Sequence, residues 1–442
     1  MNFTWSINMK RILSLSLLIL AAAGFARAAD NEAPEGFTPL FNGTDFTGWH
    51  GLGTFDIRKL KEMTDEERKT KHDTELADMK AHWKVDKGEL VNDGLGAYMT
   101  TDKDYGDFEL YVSWKLIAKG DSGVYLKATP QVQIWDFTEK DYFKMGADKG
   151  SGGLWNNAAG SPGKDPIVRA DKPIGEWNTF RIIQVGARTT VYLNGKLVID
   201  HAPLQNYFDK SAPLFPKGPV QLQTHGNEVR WKNIYIREIP ADEANKMLVS
   251  KEAEGFEPIF DGKTLAGWKG PVEDYEVVDG SLRCKPGKGG MLHTKQEYGD
   301  FVARVEFKLP KGGNNGILIR YPGEGNGAYT AMTELQVLDN DSPEYAKLDP
   351  RQYHGSAYGM IPAHRGYLRP TGEWNFQEVT VKGSTIKVEL NGTVILDGDL
   401  SKVTELMANT PHPGKDRTSG HFGFAGHGDS VEFRNVAIKP LK

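Results

Sequence analysis

Thr189-Thr190-Val191-Tyr192-Leu193-Asn194-Gly195-Lys196-Leu197-Val198-Ile199 reads as two short strands around an Asn-Gly turn. Asn-Gly suits the hairpin turn whose central residues both need positive φ. The pattern returns at Ile386 to Leu390, Asn391-Gly392 and Thr393 to Leu396. Other segments return in the same order. Gly36-Phe37-Thr38-Pro39-Leu40-Phe41-Asn42-Gly43 matches Gly255-Phe256-Glu257-Pro258-Ile259-Phe260-Asp261-Gly262, and Gly48-Trp49 matches Gly267-Trp268. Tyr105-Gly106-Asp107-Phe108 matches Tyr298-Gly299-Asp300-Phe301, and Gly175-Glu176-Trp177-Asn178 matches Gly372-Glu373-Trp374-Asn375. Each copy closes on His-Gly, at His225-Gly226 and His427-Gly428. The chain is a duplicated domain, so differences at matched positions carry information about function.

Period-two alternation dominates both copies. Phe108, Leu110, Val112 and Trp114 share one strand face, as do Phe301, Ala303, Val305 and Phe307. Many short strands with Gly-rich turns predict an all-β chain of two tandem jelly-roll sandwiches. The copies are expected at 35–240 and 255–442, joined by a helix-prone linker at 241–254. Residues 56–82, rich in Lys, Glu and Asp, have no counterpart in the second copy. They predict a helical insertion, either a surface decoration or a wall beside a ligand site.

The 442 residues carry a net charge of −5, which argues against a nucleic-acid partner. Lys10-Arg11, an apolar run from Ile12 to Ala23 and Ala26-Arg27-Ala28 read as a signal peptide over 1–28. That run is short for a membrane span. The chain is therefore expected in the periplasm or outside the cell, without a lipid anchor. The single cysteine, Cys284, excludes an intrachain disulfide and a thiolate metal cluster.

Candidate chemistry centres on Glu334-Leu335-Gln336-Val337-Leu338-Asp339, which places Glu334 and Gln336 on one face. The matching strand in the first copy begins at Gln131 and puts Gln131 and Gln133 in those places. A glutamine can hold a sugar hydroxyl but cannot act as a carboxylate base. Upstream, Arg320 and its twin Lys127, with Tyr125 beside the latter, are candidates for binding substrate or orienting Glu334. Downstream, Tyr353, His354 and Tyr358 lie in a Gly-rich loop, with Trp155 matching Tyr358. His427 and His225 suit proton transfer or ligand binding. Two-carboxylate glycosidase chemistry needs paired acids about 5 Å apart, and Gln336 stands where the second acid is expected.

As a set, these motifs resemble the 3-keto-disaccharide hydrolase domain family, over nearly all of the chain after the signal and in both copies. The resemblance implies a concanavalin-like jelly roll, export, and action on glycosides oxidised to a ketone at C3. Such a ketone acidifies the C2 proton, so one base and a group holding the enolate oxygen suffice. The expected base is Glu334 or His427, facing one hollow. Arg320, His354 or a divalent ion would hold the enolate; the ion's identity, like the oligomeric state, is open. The alternative is a tandem carbohydrate-binding protein without catalysis.

Overall fold

The computed structural model describes residues 30–442; the expected signal at 1–28 lies outside them. Each copy is a sandwich of one wide and one five-stranded sheet. In the first copy the five-stranded sheet runs Trp49–Leu52, Tyr98–Thr101, Gln221–Leu222, Asp121–Leu126, Thr129–Trp135. In the second it runs Trp268–Lys269, Gly289–Tyr298, Gly420–His427, Asn314–Tyr321, Thr333–Leu338. The wide sheets hold the predicted hairpins, and Asn194, Gly195, Asn391 and Gly392 all adopt positive φ. Alternate residues of each strand meet between the sheets. Phe108, Leu110, Val112 and Trp114 enter one core, and Phe301, Ala303, Val305 and Phe307 the other.

The insertion is a 3-10 turn, Ile57–Lys61, and a helix, Asp65–His82. Thr64 caps the helix, and Glu67 completes a capping box. Met79 is its one fully buried side chain and enters the first core. The helix packs on the edge strand Trp49–Leu52 so closely that a Cβ on Gly51 would lie 2.0 Å from the Glu75 carbonyl. It is a wall against the five-stranded sheet.

The linker forms the helix Ala241–Ser250. Its Ala244 and Leu248 pack with Val185 and Ile239 of the first copy and Phe376 of the second. Arg188 makes a two-pronged ion pair with Glu389 across the interface. Asp107 meets Arg369 at 3.3 Å, and Tyr367 donates to the Leu214 carbonyl. The copies are docked by apolar and ionic contacts.

One corner occurs twice and changes the reading of two candidate residues. Arg320 has φ 52, at a register shift in its strand. That left-handed step turns its side chain away from the exposed face. The guanidinium donates to the carbonyls of Gly299, Gly383 and Arg417 and pairs with Asp300 at 2.7 Å. Lys127 has φ 54 and donates to the Gly186 carbonyl at 2.8 Å, near Asp107. Full burial pulls its pKa down to about 8. Neither cation reaches a substrate face, contrary to the expectation from sequence. Replacing Arg320 by Leu strips buried carbonyls of their donor. Denaturant unfolding should register a loss of about 3 kcal/mol or more.

Candidate functional site

The outward face of the second five-stranded sheet is set by register. Leu335, Val337, Ile317, Ile319, Phe422 and Phe424 point into the core, so their neighbours point out. Glu334 aligns with Leu318, Gly423 and His293; Gln336 aligns with Gly316, Ala425 and Met291. Gly316 is required here. A Cβ on it would lie 2.3 Å from Glu334 Oε1 and 2.4 Å from Cγ, so the glutamate side chain lies across the glycine. The first copy repeats the device, with Gln131 lying over Gly123.

Glu334 is 3 % exposed, and among the described residues its carboxyl group has no hydrogen-bond or ion-pair partner. Burial alone pushes its pKa up to about 8. Gln336 donates to Asn314 Oδ1 at 2.8 Å and supplies no second acid. Loops cover Glu334. Tyr358 N–H donates to the Glu334 carbonyl, which fixes the phenol beside the strand, and Gln352 donates to the Tyr358 hydroxyl at 3.0 Å. Tyr329, on the short helix Gly327–Thr330, packs edge-on against Tyr358. Burial raises its phenol pKa, with Tyr358 and Glu334 adding to the effect. His412 packs against Tyr329 with ring centroids 5.0 Å apart, and burial lowers its pKa. A half-buried pair of phenols thus stands by the Glu334 carboxyl group, with His412 behind Tyr329. Such a group takes or gives a proton near neutral pH.

The remaining candidates divide. His427 shares the outward face but lies four residues beyond Gly423. At ordinary strand rise and spacing it is roughly 17 Å from Glu334 between Cα atoms. The two do not share one hollow, because the His-Gly motif falls at the strand end. Burial lowers the His427 pKa, opposed by Asp429. His354 is sealed in the sandwich against Phe307, and its pKa drops to about 3. It cannot hold an enolate. Tyr353 is buried, with its hydroxyl on the Tyr345 carbonyl and Arg365 over its ring. In the first copy Tyr125, Gln131, Gln133 and His225 do share the outward face, with Trp155 exposed at its edge.

Sequence reading missed Tyr329, His412 and a histidine pair. His293 and His421 pack with centroids 4.9 Å apart, their Nδ1 atoms on the carbonyls of Met291 and Gln296. A readable signal for Tyr329 existed. The first copy joins its two matched strands with Lys127 and Ala128, whereas the second uses residues 322–332. Among the described residues, no group of three or more His, Cys, Asp or Glu is placed to hold a metal ion. Among them, too, no helix is long and apolar enough to cross a membrane.

A family model described as a 3-keto-alpha-glucoside-1,2-lyase-like domain matches residues 36–237 and 255–439, and the chain belongs to that family. A curated 3-keto-disaccharide hydrolase of Bacteroides thetaiotaomicron is 31 % identical over 268 residues, covering 51 % of this chain and 91 % of that protein. Two crystal structures of candidate glycosyl hydrolases from Parabacteroides distasonis ATCC 8503 are 28 % and 27 % identical. They cover 42 % and 44 % of this chain and 99 % and 97 % of their own, each with a TM-score of 0.39.

The raised carboxyl gives a stability test. Glu334 holds its proton to about pH 8 when folded, against about 4.5 as a free side chain. Its stabilising contribution is full below about 4.5 and is lost as pH rises to about 8. In thermal melts, Glu334→Gln and the parent should unfold alike at pH 4. The variant should be the more stable at pH 9.

Proposed function

We propose that the second copy is catalytic and cleaves glycosides that carry a ketone at C3 of the sugar. The observation that carries this reading is Glu334, a buried carboxyl group without a partner, whose pKa of about 8 matches a proton-transfer role at neutral pH. The family description and the relative's name supply the substrate class. In the proposed sequence, Glu334 takes the proton from C2. The C2–H electrons form an enolate whose oxygen, on C3, accepts a hydrogen bond from Tyr329 or Tyr358. The electrons then return to make the C1–C2 double bond and the C3 carbonyl, while the C1–oxygen bond breaks. The leaving oxygen takes a proton, and water adds across the double bond to complete net hydrolysis. This route needs one base and fits a strand that offers Glu334 next to Gln336. Export belongs to the same proposal: N-terminal sequencing of the secreted protein should begin at Ala29.

The test follows loss of a 3-keto-disaccharide by NMR. Glu334→Gln should lower kcat by about 100- to 10,000-fold, the usual contribution of a positioned base. Because the base acts ionised, only about a tenth of the enzyme is competent at pH 7. kcat should rise about tenfold toward pH 9 and then level. Tyr329→Phe should lower kcat with little change in KM. Full turnover by Glu334→Gln would exclude this role for the residue.

A further inference from the structure

The first copy keeps the outward face but changes what it presents. Where the second copy has Glu334, Gly423 and Ala425, the first has Gln131, Gln221 and Gln223. A single chain of contacts runs through the amides. Gln131 donates to Gln133 Oε1 at 2.5 Å, and Gln133 donates to Asp121 Oδ1 at 2.7 Å. The other Asp121 oxygen meets His225 Nδ1 at 3.1 Å. With Nδ1 engaged by the carboxylate, His225 Nε2 is left at the mouth, on a side chain 57 % exposed. The second copy has Asn314 at the Asp121 position and lacks this dyad.

A second observation points to a ligand. The Oε1 atoms of Gln221 and Gln223 are buried without hydrogen-bond partners. Both residues are more than nine-tenths buried and face outward, since Leu222 between them is in the core. A buried amide oxygen without a donor costs about 1–3 kcal/mol, so it calls for one from outside the chain. The cation that sequence alignment places nearest, Lys127, is turned into the corner on Gly186. Gln131, Gln133, Gln221 and Gln223 with the Asp121 carboxylate present mostly acceptors, which favours hydroxyl donors over anions, while Lys164 at the rim is engaged by the Trp155 carbonyl and ring. Trp155, exposed beside Gln133, offers the flat apolar surface on which a pyranose C–H face packs. Thr54, on the segment leading into the helical insertion, bonds the Tyr125 hydroxyl at 3.1 Å and closes the far end of the face.

We propose that the first copy is a non-catalytic site for a neutral saccharide, held at the open end of this face by Gln223, the Asp121–His225 pair and Trp155. Its face has no free carboxylate corresponding to Glu334, so it binds without proton abstraction. The proposal stands independently of whether Glu334 is a base.

The experiment uses the full chain carrying Glu334→Gln, titrated calorimetrically with maltose and with cellobiose, and with glucuronate as the charged control. Saturable binding of at least one disaccharide is expected, weakened at least tenfold by His225→Ala and by Trp155→Ala. Both replacements are at exposed side chains. Lys382→Ala, at an exposed position of the second copy's wide sheet, should leave that binding unchanged. Absence of saturable binding by either disaccharide overturns the proposal, as does binding indifferent to both first-copy variants. Glucuronate binding as tightly as the neutral sugars overturns the assigned ligand class. Turnover of the 3-keto substrate is measured separately on the parent chain, so failure of one reading is not mistaken for failure of the other.

Discussion

A glycine beneath a carboxyl group sets the environment of Glu334. Gly316 has no side chain, and Glu334 fills that space lying flat on the sheet. In that position the carboxyl group loses water and finds no donor in exchange, so its charged form is disfavoured. An arginine within reach would reverse the effect and make Glu334 an ordinary ionised surface acid. Arg320, two residues along from Leu318, is the natural candidate for that pairing. Its positive φ commits it instead to the carbonyls of Gly299, Gly383 and Arg417. The same backbone step that anchors the corner therefore leaves Glu334 unpaired. The direction of one side chain thus serves the corner and keeps its charge away from Glu334.

Duplication shows which features belong to the fold and which to chemistry. The cationic corner, the Asn-Gly hairpin and the glycine under the outward residue occur in both copies. What differs is the side chain over that glycine, glutamate in one copy and glutamine in the other, and the loops above it. Residues 322–332 bring Tyr329 over the second face, while the insertion at 56–82 and the segment before it close on the first. The linker helix shares its apolar side with both copies, and Gly186 lets their hairpins approach: a Cβ there would meet the Asn391 carbonyl at 2.2 Å. The two faces are thus held in one molecule with distinct chemistry.

Much of the architecture was legible because period-two alternation and Asn-Gly turns are local. The same parity rule correctly put Glu334 and Gln336 together on one face, and Gln131 with Gln133. Parity failed at Arg320 and Lys127, because a register shift with left-handed φ resets which side a residue faces, and neither side chain favours that conformation in sequence. His354 misled because its neighbours are loop-like glycines, whereas its ring turns inward onto Phe307. His427 was right in face and wrong in position along the strand, a distance that depends on inter-strand register. Tyr329 and His412 come from loops far apart in sequence and meet only in the folded chain.

Glu334, buried and without a partner among the described residues, is expected to titrate near neutral pH. Carbon-13 NMR of carboxyl-labelled glutamate, with the Glu334 signal assigned by its loss in Glu334→Gln, measures this directly. A midpoint near pH 8 is the result this account predicts. A midpoint near the ordinary carboxyl value of about 4.5 would show that Glu334 is solvated or paired, and would contradict it.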